Sequence, residues 1–183
     1  MSALERIFQI VIDRLSGIGM VTIAGGSVRD TLMEREPKDY DVFINCSEAA
    51  SSQIVEAMEG FQKIEVPEFH KSEPFLKGTW RVECVDVQVM WTPHGTVDEL
   101  LNSFDWNVSM FAYDGSFHCR EDVKNIKAGA SLRLCSVTFP ISTLRRGFRF
   151  SERFGMKIER KDLFDLCKRV MQLGRPEKKD ASA

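Results

Sequence analysis

Long apolar runs are missing from this chain. None approaches the roughly 18 residues that a membrane-spanning helix needs, and the N-terminus reads without a signal peptide. Cysteine is sparse and unpatterned: Cys46, Cys84, Cys119, Cys135 and Cys167 form no C-x-x-C pair and no even framework. That argues against a disulfide scaffold and a zinc site, and for reduced, mostly buried thiols in a cytoplasmic protein. Histidine is also scarce. His70, His94 and His118 lie far apart, without the spacing of metal ligands, and read as surface or core residues. There is no internal repeat, and the only biased tract is the polar end after Gly174. Net charge is small, at −2.

The charge is nevertheless divided. From Pro140 to Ala183 there are 12 Lys or Arg against 6 Asp or Glu, whereas the preceding residues hold 13 against 21. An acidic first part joined to a basic tail suits a protein that gathers metal at one end and polyanion at the other, although a solvated lysine-rich helix face has the same composition. With 183 residues, 43% of them hydrophobic, the chain can bury the core of one domain with a helical appendage.

Periodicity supplies the layout. Leu4, Ile7, Phe8, Val11, Ile12 and Leu15 define an amphipathic helix ending near Gly17 and Gly19. A strand over Val21–Ala24 leads through Gly25-Gly26 to a short helix and a second strand. Ser47 is placed to cap a helix lasting to about Gly60. Strand-like runs follow at Lys63–Val66, Thr79–Cys84 and Val85–Trp91, then a helix over Thr96–Phe104. A strand pair is expected at Val108–Tyr113 and Phe117–Arg120, turning at Asp114-Gly115. Two helices, Ile141–Phe154 and Lys161–Leu173, are broken at Gly155. Glu68–Lys77 reads as a mobile loop or a hairpin connection. Trp80, Trp91 and Trp106 read as core. The expected fold class is α+β: a mixed or antiparallel sheet flanked by helices over residues 1–138, a helical neck over 139–175 and a polar tail over 176–183.

The segment Gly25–Ile44, GGSVRDTLMEREPKDYDVFI, is the most informative. Asp39 and Asp41 open a β-branched and aromatic run, so they point to the same strand face. Two carboxylates side by side repel each other unless a cation sits between them. Mg²⁺, or Mn²⁺ in its place, takes one or two carboxylates together with substrate phosphates. Adjacent glycines let backbone approach a phosphate and open a helix N-terminus.

These residues resemble the first motif of the class II nucleotidyltransferases, the bacterial poly(A) polymerases and CCA-adding tRNA nucleotidyltransferases of the DNA polymerase beta superfamily. The pattern GGxVRDxLLGxxxxDxD runs in register from Gly25 to Asp41, with Glu34 at its usual glycine. The resemblance implies that Asp39 and Asp41 bind metal, that Gly25, Gly26 and Ser27 cradle a triphosphate, and that Arg29 supports the phosphate loop. A third carboxylate from a neighbouring strand would complete a two-metal site. Asp86, in VDVQVMW, alternates onto the face opposite Val85, Val87 and Val89 and fits that part, with Glu83 as the competitor. The family's RRDFTINAMAYD segment, which holds ribose and triphosphate, corresponds to Asn102–Gly115. Phe104, Asn107, Ala112, Tyr113 and Asp114 match, while Leu101, Asn102 and Ser103 stand in place of RRD. Asp105 has no counterpart and either bonds sugar hydroxyls or caps a helix end.

A third match covers the family's neck motif, EDxxRxLRAxRFAARxGF. In Phe139–Met156 it aligns on Arg146, Arg149, Phe150, Arg153 and Gly155. The three arginines, at i, i+3 and i+7, share a helix face suited to phosphate. Arg146 and Arg149 are expected on the nucleotide and Arg153 on RNA, with Leu144 and Phe148 on the buried side. The EDxxR template that selects CTP or ATP is replaced by Phe139, Pro140 and Thr143. Past Gly155 one further helix is expected, so the chain reads as an early-ending piece or as a compact stand-alone enzyme suited to small genomes such as those of phages. The resemblance implies transfer of a nucleoside monophosphate from an NTP to an RNA 3′ end, tRNA above all, with release of pyrophosphate. The alternatives are a different acceptor, protein or metabolite, and a nucleotide- or RNA-binding module without turnover. Nothing in the sequence sets the oligomeric state.

Overall fold

The computed structural model describes residues 2–65 and 75–173. The first helix, α1 (Ala3–Leu15), starts where Ser2 and Glu5 cap each other, the Ser2 hydroxyl accepting from the Glu5 amide and the Glu5 carboxylate from the Ser2 amide. It buries Leu4, Ile7, Phe8, Val11 and Leu15, the stripe its periodicity predicts.

The chain continues through β1 (Met20–Ala24), α2 (Gly26–Leu32), β2 (Asp39–Asn45), α3 (Gln53–Ala57), β3 (Gln62–Ile64), β4 (Leu76–Val82), β5 (Val85–Trp91) and α4 (Val97–Ser103). After β6 (Phe111–Tyr113), β7 (Phe117–Cys119) and α5 (Val123–Lys127) come two longer helices, α6 (Pro140–Phe154) and α7 (Arg160–Leu173). The strands form a single seven-stranded sheet in the order β3-β4-β5-β2-β1-β6-β7. Among the described strands only β2 and β5 pair in parallel, and every other neighbouring pair is antiparallel.

Alternation along the strands divides the sheet into two faces. Ile23, Tyr40, Val42, Ile44, Trp80, Val82, Val87 and Val89 join the buried stripe of α1 and Val28, Ile54 and Met58 in the main core. On the other face, Ala24, Met110 and Ala112 pack with Leu100 and Leu101 of α4, and Phe43 and Phe104 lean on that cluster. This cover stops at β2. Asp39 and Asp41 therefore stand where the sheet passes from covered to open.

Helix α6 is docked on the head by specific contacts. Trp106 is fully buried and its indole N–H donates to the Thr143 carbonyl at 2.9 Å. Gly147 lies against that ring, so close that an added Cβ would fall 2.4 Å from it. Arg153 bonds Asp30 of α2 at 2.8 Å. Gly155 ends the helix at φ 65°, a conformation that glycine adopts without Cβ strain. Beyond it, the Leu134 amide donates to Asp162 of α7.

Several expectations change. The helix after Ser47 splits into a 3₁₀ turn (Ala49–Ser52) and the short α3. The Thr79–Cys84 strand begins earlier, at Leu76, and ends at Val82, because Glu83 turns at φ 55°. Val108 belongs to a 3₁₀ turn rather than a strand, and α5 was not anticipated. Phe148 is not on the buried side of its helix but 53% exposed, and Gly147 and Thr143 take the inward positions. The thiols are not mostly buried either: Cys84, Cys119, Cys135 and Cys167 are exposed and Cys46 is intermediate. Trp91 is half-buried, stacked on Phe75, whereas Trp80 and Trp106 are core. His70, residues 68–74 of the expected loop and the tail over 176–183 lie outside the described residues.

Candidate nucleotide and metal site

A cleft of about 1010 Å³ opens between the β1–α2 turn, β2, the segment after α4 and helix α6. Gly25, at φ 87°, adopts a backbone conformation that side chains other than glycine rarely take. This turn carries Gly25 and Gly26 into the lining, next to Asp41, which is Cα partner to Ala24 in the sheet register. Ser27, behind the turn, is buried, and its hydroxyl has no hydrogen-bond partner among the described residues. A buried hydroxyl without a partner is costly, though Ser27 does not itself line the cleft.

Asp39 and Asp41 both line the cleft, with Lys38 beside them. Burial first, then the neighbouring Asp86 and Asp30, push the Asp39 carboxyl above the usual range, with Lys38 opposing. That crowding of hard oxygens fits a divalent ion that also takes phosphate oxygens. Asp86 is the Cα partner of Asp39 in the parallel β2–β5 register, so it shares this face. It does not line the cleft, however, and its carboxylate bonds Arg81. Among the described residues no three His, Cys, Asp or Glu side chains gather closely enough to hold a metal by themselves. Two carboxylates with substrate oxygens is therefore the arrangement the resting geometry offers. Glu83, the alternative third carboxylate, pairs instead with Arg6.

Helix α6 adds a cationic part to the lining. Arg146, Arg149 and Arg153, one helix face of α6, all line the cleft. Arg146 bonds the buried Asp105 through Nε at 2.7 Å, so Asp105 neither caps a helix nor stands open. Arg153 is engaged by Asp30. Arg149 lines the cleft and makes no ion pair among the described residues. Arg29 is only 2% exposed. It donates to Asp30 and the Val108 carbonyl and lies under the rings of Phe150 and Phe154. Burial pulls its guanidinium below the usual range and Asp30 partly restores it. Its geometry is that of a buried strut beneath the Gly25-Gly26 turn.

Asn107 sits outside the lining. Its amide donates to Glu121 at 2.6 Å and its carbonyl accepts from the Arg133 amide. Glu121 also takes bonds from Asn125, Arg133 and the Asp122 amide. Burial raises the Glu121 carboxyl, but these donors outweigh it and hold the group below the usual range. Sequence reasoning missed Lys38, the Asp105–Arg146 pair, and Phe43 and Phe75 of the cleft, while Phe104, Phe139 and Phe150 entered it only as motif positions. Lys38 was readable from its place beside Asp39; the pairing of residues 41 apart was not.

The fold has close counterparts among solved structures. A tRNA-processing enzyme in an apo form matches 95% of this chain and 48% of its own, with a TM-score of 0.63 at 20% identity. A CCA-adding enzyme in complex with CTP matches 95% of this chain and 44% of its own, with a TM-score of 0.66 at 16% identity. The Thermotoga maritima CCA-adding enzyme complexed with tRNA matches 94% and 43%, with a TM-score of 0.66 at 16% identity. The chain thus spans less than half the length of these solved proteins, and its fold is that of the class II nucleotidyltransferase head. The chain itself belongs to the Gabija anti-defense 2 (Gad2) family, whose profile matches residues 3–133. No curated protein sequence matches it. No helix among the described residues is long and apolar enough to cross a membrane.

Proposed function

We propose that this protein is a metal-dependent nucleotidyltransferase that moves a nucleoside monophosphate from an NTP to the 3′ end of an RNA, tRNA-like or other, and releases pyrophosphate. The observation that carries the reading is that one cleft is lined both by Gly25, Asp39 and Asp41 and by Arg146, Arg149 and Arg153. Asp39 and Asp41 would hold Mg²⁺, or Mn²⁺, which supplies charge neutralisation at the triphosphate. Gly25, Gly26 and the Ser27 hydroxyl receive phosphate oxygens, Arg149 meets the triphosphate from the helix, and Arg29 stiffens the turn from below. The Phe43–Phe104 pair and Phe150 offer apolar surface to a base. Bond making to the α-phosphorus by the acceptor oxygen and bond breaking to the leaving pyrophosphate need no covalent enzyme intermediate. The chain contributes position and charge.

A second reading keeps the chemistry and changes the acceptor. Membership of a family named for acting against Gabija defence favours a hydroxyl on a protein of that defence. So do the Leu101-Asn102-Ser103 and Phe139-Pro140 stretches, which stand where the resembling enzymes carry RRD and EDxxR. One experiment separates the readings. The purified chain is incubated with each labelled NTP and Mg²⁺, once with total RNA and once with purified Gabija proteins. Label on RNA supports the first reading and label on protein the second. Tight NTP binding with no label on either leaves a nucleotide-binding module.

A further inference from the structure

On the open half of the sheet, Asp86 stands between two partners of opposite kind. Across the antiparallel β4–β5 pair it faces Arg81, and across the parallel β2–β5 pair it faces Asp39. The side chain has taken the cation: Asp86 Oδ1 accepts from Arg81 Nε at 2.5 Å. Arg81 makes no second ion pair among the described residues, and its other strand neighbour, Gln62, is uncharged. A cation that binds Asp86 must displace this guanidinium or share the carboxylate with it. With Asp86 held by Arg81 and Asp105 by Arg146, Asp39 and Asp41 are the carboxylates left together on the β2 side of the lining, in keeping with the lack of a three-ligand group among the described residues.

We infer that Arg81 is a positioning residue that holds Asp86 off the Asp39–Asp41 pair, so that a divalent ion entering the cleft competes with a guanidinium for its third carboxylate. This rests on the proposed reading that Asp39 and Asp41 take such an ion. The competition is finely set because the pair is partly exposed, with side chains 42% and 37% accessible. An ion pair of that exposure is weak, so it restrains Asp86 without locking it.

The test is Mn²⁺ binding to the full chain without nucleotide, read from the electron paramagnetic resonance of the free ion. Arg81→Gln is expected to tighten Mn²⁺ about two- to fivefold, the factor that corresponds to the strength of a partly exposed pair. Arg81→Lys, which keeps a cation, is expected to stay near wild type. Adding Asp86→Asn to Arg81→Gln is expected to remove the gain. A role confined to stability would move the melting temperature and leave this cycle flat. Unchanged or weaker Mn²⁺ binding in Arg81→Gln, or a gain that survives Asp86→Asn, overturns the proposal alone. Mn²⁺ binding that Asp39→Asn and Asp41→Asn leave intact, or no binding in any variant, overturns the site reading and the proposal with it.

Discussion

Replacing Gly147 by alanine sets two effects of similar size against each other, and the structure says which prevails. In a helix interior, Gly→Ala is ordinarily favourable by about 1 kcal/mol. Here the new methyl would meet Trp106 ring atoms at 2.4, 3.0 and 3.1 Å. Real Cβ contacts lie beyond about 3.4 Å, so helix or ring must retreat by about 1 Å. The ring has little freedom: it is fully buried, and its N–H is tied to the Thr143 carbonyl of the same helix. Overpacking of this kind costs up to about 3 kcal/mol, which leaves a net loss of about 2 kcal/mol. For a chain of this size that is a fall in melting temperature of about 4–8 °C. The displaced helix also carries Arg146 and Arg149, so NTP affinity should fall together with stability. Thermal unfolding followed by Trp fluorescence, with nucleotide titration at 20 °C, measures both. A Gly147→Ala protein about 1 kcal/mol more stable than wild type, with unchanged nucleotide affinity, would show that α6 does not seat on Trp106 and would refute the cleft as drawn.

Asp39→Asn and Asp41→Ala should each abolish transfer at saturating Mg²⁺; residual turnover in either would remove the metal assignment. Because the Asp39 carboxyl lies above its unfolded value near 3.9, its contribution to stability declines as pH rises from there through the raised value. Asp39→Asn should therefore be at least as stable as wild type at pH 7, which urea titration checks. Glu121→Gln should cost about 2–3 kcal/mol at pH 7 by mismatching its four donors. The folded carboxyl lies below its unfolded value near 4.3, so the gap should close as pH falls below that value; a gap independent of pH would refute the charge argument. Arg149→Ala should weaken NTP binding by about tenfold or more while leaving RNA affinity unchanged. A flatter salt dependence of RNA binding, by about one unit of slope, would instead assign Arg149 to the acceptor.

What the sequence disclosed depended on how local the signal was. Asp39 and Asp41 sit two apart on a strand, and the stripe of α1 repeats over four turns, so both faces could be read directly. The interior of α6 could not. Glycine carries no hydropathy, and the space Gly147 occupies is defined by Trp106, 41 residues earlier, so the period drew Phe148 inward although it lies in solvent. The five-residue α5 buries only Ile126, too little for a helical period to show. Asn107 matched a motif by position, but its engagement by Glu121 depends on a loop that no spacing rule connects to it. Asp105 and Arg146 illustrate the same limit: each residue was visible, and their meeting was a product of the fold.

Strand β1 sits between β2, which follows within twenty-five residues of the chain, and β6, which arrives about ninety residues later. A growing polypeptide can therefore complete the β1–α2–β2 unit with its D-x-D pair early, yet must wait for β6 to close the other side of Ile23 and Ala24, and for α6 to wall the cleft. Loop closure over such separations makes late steps slow. In the interval, apolar strand edges stay open to whatever is nearby, which is the condition under which nascent chains aggregate or recruit chaperones. Vectorial synthesis thus delivers the carboxylates first and the arginines last, and a half-made chain would display the acidic pair without the cationic wall that gives it a use.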